Sequence, residues 1–345
     1  MNKQDKTKDL GFKNCLVIGG SGLLGFEIAK QLHQHGANVR ILDLVAPPSS
    51  SYEHIIGDIR HRDTVLKACR GIETVFQTAA AVWDPKNSPQ LYDTVNVEGN
   101  AQIIDVCRKL GISRLVYTST LDVVVEGKKP ISNGDESLAY PQKMPADHYS
   151  RTKILAEKMV LEANGSKLKT CSLRPVGMYG PRDKYHLKNI LDAVCNGGNF
   201  KLGDGSAKFS HVYSENAAHA HILAAQRLVA GSPVCGNFYF ITDDCPSQNL
   251  FAFMAPFIAG LGLEPPKKSI PYPLAYMLAF INEKMNPGST FNRFAVVQTC
   301  VDHTFVSSRA EKDLGYAPIV SKEEAFKRTL AWFAKHYPIK QGKKQ

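Results

Sequence analysis

An apolar run, Leu16-Val17-Ile18, stops at Gly19, and glycines recur at Gly22 and Gly25. Apolar positions then resume with helical spacing at Leu23, Leu24, Ile28, Ala29 and Leu32. This is the pattern of a buried strand, a tight turn and an amphipathic helix. The alternation continues. Ala37 to Leu42 predicts a second strand ending at Asp43, and His54-Ile55-Ile56 a short third one closed by Gly57-Asp58. Asp63 to Cys69 reads as a helix, Thr74 to Gln77 as a fourth strand, and Leu91 to Leu110 as a long helix. A fifth strand over Arg114 to Thr118, a helix over Asp147 to Ala163 and a sixth strand over Leu168 to Leu173 complete the series. Strands separated by helices predict a parallel sheet with right-handed crossovers. The fold class is therefore α/β, a doubly wound parallel sheet whose ligand lies beyond the strand C-terminal ends.

The regularity weakens after Gly180-Pro181, where Pro and Gly become denser and apolar runs shorten. Helices such as Ser214 to Leu228 mix there with brief strands such as Phe238 to Ile241. The pattern predicts a dinucleotide-binding domain over 11–180, to which about 210–242 returns. A smaller α+β lobe over 181–335 closes the substrate cleft, and polar tails occupy 1–10 and 336–345. Asp135 to Pro145 is a polar, Pro-bearing loop placed to cover the cleft. Two apolar runs, Leu250 to Leu263 and Ile270 to Ile281, are each too short to span a membrane. They read as a pair of core helices, or as an apolar surface that meets a bilayer or admits a lipid-like substrate.

Composition narrows the classes. The chain of 345 residues is 43% hydrophobic, ample for a core, and carries a net charge of +10. Part of that charge is a lysine-rich tail (Lys335, Lys340, Lys343, Lys344), and no run interleaves basic residues with aromatics, so a nucleic-acid partner is not expected. Eight cysteines include no Cys-x-x-Cys and sit mostly in apolar segments, which predicts reduced, buried thiols and no metal site. The polar stretch from Met1 to Asp9 has no signal-peptide core, so a cytoplasmic protein is expected, with room for a weak membrane-surface contact.

The Gly19-x-x-Gly22-x-x-Gly25 turn lets a pyrophosphate approach the backbone and sit on a helix N-terminus. That makes Gly19, Ser21, Gly22, Leu23, Leu24 and Gly25 candidate dinucleotide contacts. Asp43 follows Gly19 at the distance suited to the adenosine ribose hydroxyls, which favours NAD over NADP; Arg40 and Arg60 leave NADP open. Asp58, with Ile59, is placed for the adenine edge, or Asp58 caps the next helix. Ala79, Ala80 and Ala81 follow the fourth strand, and Asn96 can fix that loop through backbone hydrogen bonds. Pro175, Gly177 and Met178 follow the sixth strand, where backbone groups can bind a nicotinamide carboxamide.

Tyr149 and Lys153 lie four apart on a predicted helix and share a face. Of thirteen tyrosines, this is the one followed four residues later by lysine. A neighbouring ammonium is expected to lower the phenol pKa, so that the pair relays a proton while hydride moves at a nicotinamide. Thr118, Ser119 and Thr120 end the fifth strand; one hydroxyl there can bind the reacting oxygen, and spacing does not separate the three.

Together these residues resemble the extended short-chain dehydrogenase/reductase superfamily, with its Rossmann-type domain, over nearly the whole chain. The segments that carry the resemblance are Gly19–Gly25, Asn96-Val97-Glu98-Gly99-Asn100, Tyr117–Thr120, Asp147–Lys153 and Leu173–Pro181. In the second half, His211–His221 and Phe238–Asp244 look like the 3β-hydroxysteroid dehydrogenase branch, which includes decarboxylating sterol-4α-carboxylate 3-dehydrogenases. The resemblance implies Tyr149 as acid/base, Lys153 as its partner, and Thr120 in the hydroxyl role where the family commonly has Ser. Thr118, Tyr149 and Lys153 would also contact the cofactor. It further implies NAD, a sterol-like or lipid-like substrate and a homodimer. Relatives often carry a longer membrane-associating segment near Pro271 to Ile281. Alternatives on the same scaffold are a 2-alkyl-3-keto acid reductase and a nucleotide-sugar epimerase or dehydratase; a non-catalytic NAD-binding sensor is a third.

Overall fold

The computed structural model describes residues 10–49, 51–127, 129–195, 200–243 and 247–337. In the first half, β1 (Asn14–Ile18) leads through the glycine turn into α1 (Leu23–Gln34), followed by β2 (Asn38–Asp43), β3 (Glu53–Ile56), α2 (Arg62–Cys69) and β4 (Thr74–Gln77). The long helix expected next is interrupted. A short α3 (Pro89–Tyr92) passes into a π-helical segment, Asp93–Glu98, before α4 (Gly99–Leu110). Such widened turns recur at functional sites because the extra residue re-aims a side chain; here that segment holds Asn96. Then come β5 (Arg114–Thr118), a 3₁₀ turn (Leu121–Val124), β6 (Ile131–Gly134), α5 (His148–Glu162), β7 (Lys169–Pro175) and β8 (Gly177–Tyr179).

The remainder interleaves two roles. Elements α6 (His186–Cys195), β9 (Phe200–Leu202), β10 (Lys208–Phe209) and β11 (His211–Tyr213) precede α7 (Ser214–Arg227) and β12 (Phe238–Ile241). After them come β13 (Gln248–Asn249), α8 (Leu250–Gly260), β14 (Lys268–Ile270), α9 (Tyr272–Met285) and α10 (Arg293–Cys300). The last are β15 (His303–Phe305), α11 (Ser308–Leu314) and α12 (Lys322–His336).

The main sheet has seven strands in the order β12-β7-β5-β4-β1-β2-β3, and every adjacent pair is parallel. Strand β1 shows why both faces are covered. Cys15 and Val17 pack with α1 and α7, whereas Leu16 and Ile18 pack with α2, α4 and α5, the period-2 alternation of a strand buried on two sides. Buried Cys15, Cys69, Cys107 and Cys171 belong to these layers.

The two apolar runs fare differently. Phe253, Met254, Phe257 and Ile258 of α8 are buried against Leu187, Leu191 and Phe333. On α9 only Ala275 and Ala279 are buried, and Leu274, Met277, Leu278, Phe280, Ile281 and Met285 face outward. In the 135–145 loop, Glu136 accepts a hydrogen bond from Phe240 N (2.7 Å) and Tyr140 donates to Glu157 (2.9 Å), so the first half of this loop is tied to β12 and α5. The lysine-rich tail lies almost wholly outside the described residues, as does Cys245.

Candidate active site

Parallel register carries the C-terminal ends of β1, β4, β5 and β7 to one rim: Ile18 lies beside Gln77, Gln77 beside Tyr117, and Thr118 beside Leu173. The glycine turn crosses this rim. Gly19 has φ of 80°, and a Cβ there would lie 2.7 Å from Ala79 N. A Cβ on Gly25 would strike the Gly19 carbonyl at 2.3 Å. Gly22 is different: it is exposed, and a Cβ would meet only Gly19 O, at 3.2 Å. Gly22 also caps α1 without a side-chain acceptor, and the first turn of α1 holds no acid. An open backbone at an uncapped helix N-terminus suits a pyrophosphate. Leu23 is half-buried at that turn, whereas the Leu24 side chain is in the core.

Asp43 ends β2 beside the turn, where its Oδ2 accepts from Ser21 N (2.9 Å). Both arginines that left NADP open are committed elsewhere. Arg40 pairs with Glu53 (2.8 Å) and donates to the carbonyls of Ala68 and Arg70 (both 2.8 Å). Arg60 donates to Asp58 from Nε (2.9 Å) and Nη2 (2.6 Å). A ribose 2′-phosphate would meet Asp43 with neither cation free, so the pocket suits NAD.

Four of the expected residues have their side chains engaged within the chain. The Asp58 carboxyl, held below its usual pKa chiefly by the Arg60 hydrogen bond, does not cap α2, whose N-cap is His61. Ile59 is turned into the core, where a Cβ on Gly99 would press on its side chain at 2.9 Å. Asn96 is buried and fully used: its Oδ1 accepts from Ala81 N (2.8 Å), and its Nδ2 donates to Ala81 O and to Thr152 Oγ1 (both 3.1 Å). It therefore fixes the β4 loop through backbone hydrogen bonds, as expected, and clamps that loop to α5. The Thr118 hydroxyl faces α7, 2.9 Å from His221 Nε2. Because His221 Nδ1 lies 2.7 Å from the Ala217 carbonyl, which can only accept, Nδ1 carries the proton and Thr118 donates to Nε2. Ala79, Ala80 and Ala81 remain half-exposed along the rim, as do Gly177 and Met178, while Pro175 is buried at the end of β7.

The three hydroxyls of β5 are thereby separated. Thr118 points to α7; Ser119 is buried and donates its backbone N–H to Leu173 O (2.7 Å). Thr120 lies with Tyr149, whose phenol its hydroxyl contacts. Tyr149 sits in the first turn of α5, capped by Asp147, whose Oδ1 accepts from Ser150 N (2.7 Å). The expected lowering of the phenol does not occur. Burial, then the Asp122 carboxylate, raise the Tyr149 pKa above its usual value, against the Thr120 hydrogen bond. The reason is where Lys153 points. Its Nζ donates to Thr118 O (2.6 Å) and lies 4.4 Å from the Tyr117 ring centre. Burial lowers Lys153 from 10.5 to about 7, opposed by Glu157 and Asp122.

Three functional neighbours escaped the sequence reading. Asp122, in the 3₁₀ turn after β5, accepts from Thr120 Oγ1 (2.8 Å) through Oδ2 and from Gln298 Nε2 (2.7 Å) through Oδ1. Burial pushes it up to about 6. Its signal was a Thr-x-Asp spacing; Gln298, on α10, has no local signal at all. Glu157 continues the ladder Tyr149, Lys153, Glu157 at four-residue intervals and was legible as such. It forms a buried pair with Arg174 (2.8 Å), both side chains at most 1% exposed, and accepts from Ser172 Oγ (2.6 Å).

The sequence profile of the 3-beta hydroxysteroid dehydrogenase/isomerase family matches residues 16–274. The chain belongs to that family. It is an NAD(P)-dependent oxidoreductase acting on CH–OH groups, as its resemblance implied. The mouse (Mus musculus) sterol-4-alpha-carboxylate 3-dehydrogenase, decarboxylating, is 35% identical over 333 residues, which are 93% of this chain and 91% of that protein. Human (Homo sapiens) short-chain dehydrogenase/reductase family 42E member 1 is 37% identical, covering 94% of this chain and 88% of the relative. Among solved structures, the UDP-glucose 4-epimerase of Thermotoga maritima with UDP-glucose superposes with a TM-score of 0.73 at 19% identity, over 93% of this chain and 99% of that one. That likeness establishes the extended Rossmann-type fold.

Proposed function

We propose that this family member oxidises the secondary alcohol of a hydrophobic, sterol-like substrate with NAD, Tyr149 serving as acid/base, Thr120 holding the reacting oxygen and Lys153 supporting the site from below. The observation that carries the reading is the meeting of the Thr120 and Tyr149 hydroxyls in one enclosed place at the end of β5, with Lys153 anchored on the same strand. When bound, NAD supplies the hydride acceptor and a positive ring charge. The chain does the rest. The glycine turn and the α1 N-terminus hold a pyrophosphate, and Asp43 holds the adenosine ribose. Thr120 Oγ1, which donates to Asp122 in the chain alone, turns that proton to the reacting oxygen when substrate is bound, leaving the alcohol proton for Tyr149. Tyr149 Oη, protonated in the resting chain, is the acid for a ketone oxygen and, in the reverse sense, receives the alcohol proton once positive charge nearby favours its phenolate.

The apolar character of the substrate is supported by the sterol named in a relative's activity and by Trp83, two residues past Ala81, which stacks on Phe294 with ring centres 5.1 Å apart. The same surface supports a weak contact with a membrane. No helix among the described residues is long and apolar enough to cross one, but α9 presents an apolar face and packs on α10. Cytoplasmic residence is read from the polar N-terminal stretch and the reduced thiols, and a homodimer from the resemblance; light scattering tests the latter. The functional test is NAD reduction by purified protein over a panel of 3β-hydroxysteroids, long-chain 3-hydroxy compounds and UDP-sugars. Turnover of steroids is expected, and turnover of UDP-sugars alone would overturn the reading.

A further inference from the structure

The charge beside the reacting oxygen discriminates between two substrate classes that share the same reaction. One is a neutral 3-hydroxysteroid. The other carries a carboxylate on the carbon next to the carbinol, as in a sterol 4-carboxylic acid or a 2-alkyl-3-hydroxy acid. In the second class the carboxylate must lie within contact reach of whatever holds the reacting oxygen.

In this chain Thr120 is the hydroxyl at that place, and the Asp122 carboxylate is bonded to it at 2.8 Å. Asp122 is fixed there from two sides: its own 3₁₀ turn, through a backbone N–H to Thr120 Oγ1 (3.3 Å), and Gln298 of α10 (2.7 Å). The groups acting on it are few. From α5, Asp147 adds a second negative charge and Lys153 a positive one. The Lys153 ammonium is held toward β5 by its bond to the neutral Thr118 O at 2.6 Å, so one positive charge answers two carboxylates. From α10 comes a neutral amide. Arg293, the basic residue that opens α10, is paired with Glu283 at 2.8 Å. A carboxylated substrate would thus add a third negative charge beside Asp122 and Asp147 in a half-buried site, against the single cation Lys153 among these groups.

Resting on the dehydrogenase reading above, we propose that Asp122 is a specificity-determining residue that excludes substrates with a carboxylate next to the carbinol carbon and directs the enzyme to neutral 3-hydroxysteroids. Like charges a few ångströms apart in a partly buried site cost enough to suppress binding roughly 10- to 100-fold. Gln298 is the positioning residue: by holding Oδ1 it keeps the carboxylate turned to Thr120.

The test compares matched pairs on the full-length protein with NAD: a 4α-methyl-3β-hydroxysterol against its 4α-carboxylate, and a long-chain secondary alcohol against the corresponding 2-alkyl-3-hydroxy acid. Both kcat/KM and equilibrium binding of each ligand are measured. The wild type should favour the neutral member at least about 10-fold. Asp122→Asn, which keeps the shape and removes the charge, should shrink that ratio by roughly 10-fold or more, and Gln298→Leu should shrink it less. Because Asp122 is pushed up to about 6, discrimination in the wild type should fall as pH drops below 6 and should not do so in Asp122→Asn. A merely structural role would lower activity on both members alike and leave the ratio unmoved. A wild type that prefers the carboxylate, or a ratio unchanged in Asp122→Asn, overturns the proposal. Turnover of the alkyl pair without the sterol pair would instead overturn the sterol reading, with the charge discrimination still measured. If neither pair is turned over, the binding ratio decides the role of Asp122 by the same criteria.

Discussion

The β5–α5 rim and the α9–α10 region meet at the same cleft but are built by opposite rules. At the rim, buried polar groups answer one another. Lys153 bonds the strand it crosses, Glu157 receives Arg174, Ser172 and Tyr140, and Asn96 ties the β4 loop to α5. Around α9 and α10 only Ala275, Ala279 and Val296 are buried, and apolar side chains face outward up to Met285 at 73% exposure. The thin region reaches the rim through one face of α10, where Phe294 stacks on Trp83 and Gln298 bonds Asp122. Rigid placement of the chemistry thus resides in the sheet, while the loosely packed region chooses what enters. Buried, mutually satisfied polar groups hold one geometry because leaving any of them unpaired is costly.

Four measurements sharpen or break this contrast. Tyr149→Phe should lower kcat by roughly 10²- to 10⁴-fold with little change in thermal stability; a smaller loss would move the proton transfer elsewhere. Glu157→Gln should cost about 3–5 kcal/mol in urea unfolding, because the Arg174 guanidinium stays buried without a counter-charge. Removing that carboxylate also lets Lys153 fall further below about 7. In the second lobe, Phe257→Ala on the buried face of α8 should cost about 3–5 kcal/mol, whereas Phe280→Ala on α9 should change stability by under about 0.5 kcal/mol. Equal effects would dissolve the distinction between the two apolar helices. The smallest effect is a pH slope in the cofactor-free protein. Lys153 is half-ionised near pH 7 when folded, but its unfolded value is 10.5. Between those values the unfolded chain holds the extra proton, so stability rises with pH, by up to about 1.4 kcal/mol per unit from this group. Lys153→Met should remove that rise in unfolding curves taken at pH 7 and pH 9.

Much of the site was legible because it depends on local rules. Glycine spacing, a strand-end Asp43 and a Tyr149/Lys153 pair four apart are short-range features, and the sheet then places them on one rim. The illegible part depends on where side chains point after packing. Lys153 was expected to lower the phenol of Tyr149; in the fold its ammonium goes to Thr118 O, and burial dominates both groups. Asn96 fixes the β4 loop as its position suggested, while the pairing of Asp58 with Arg60 and the bond from Asn96 to Thr152 on α5 had no signal in the pattern. Spacing left Thr118, Ser119 and Thr120 equivalent, and His221, 103 residues from Thr118, is what separates them.

The order of strands and helices, the glycine turn and the shared face of Tyr149 and Lys153 on α5 follow from periodicities of two and 3.6 residues, which a chain carries in its own pattern. Which carboxylate stands against Thr120, and which of two similar apolar runs becomes core, were decided only in three dimensions. Gln298 reaches Asp122 across 176 residues, and α8 finds α12 to pack on while α9 finds α10 and the short strands β9 and β14. Burial and charge act through space, so they are set by the neighbours the fold supplies and not by the neighbours in the chain.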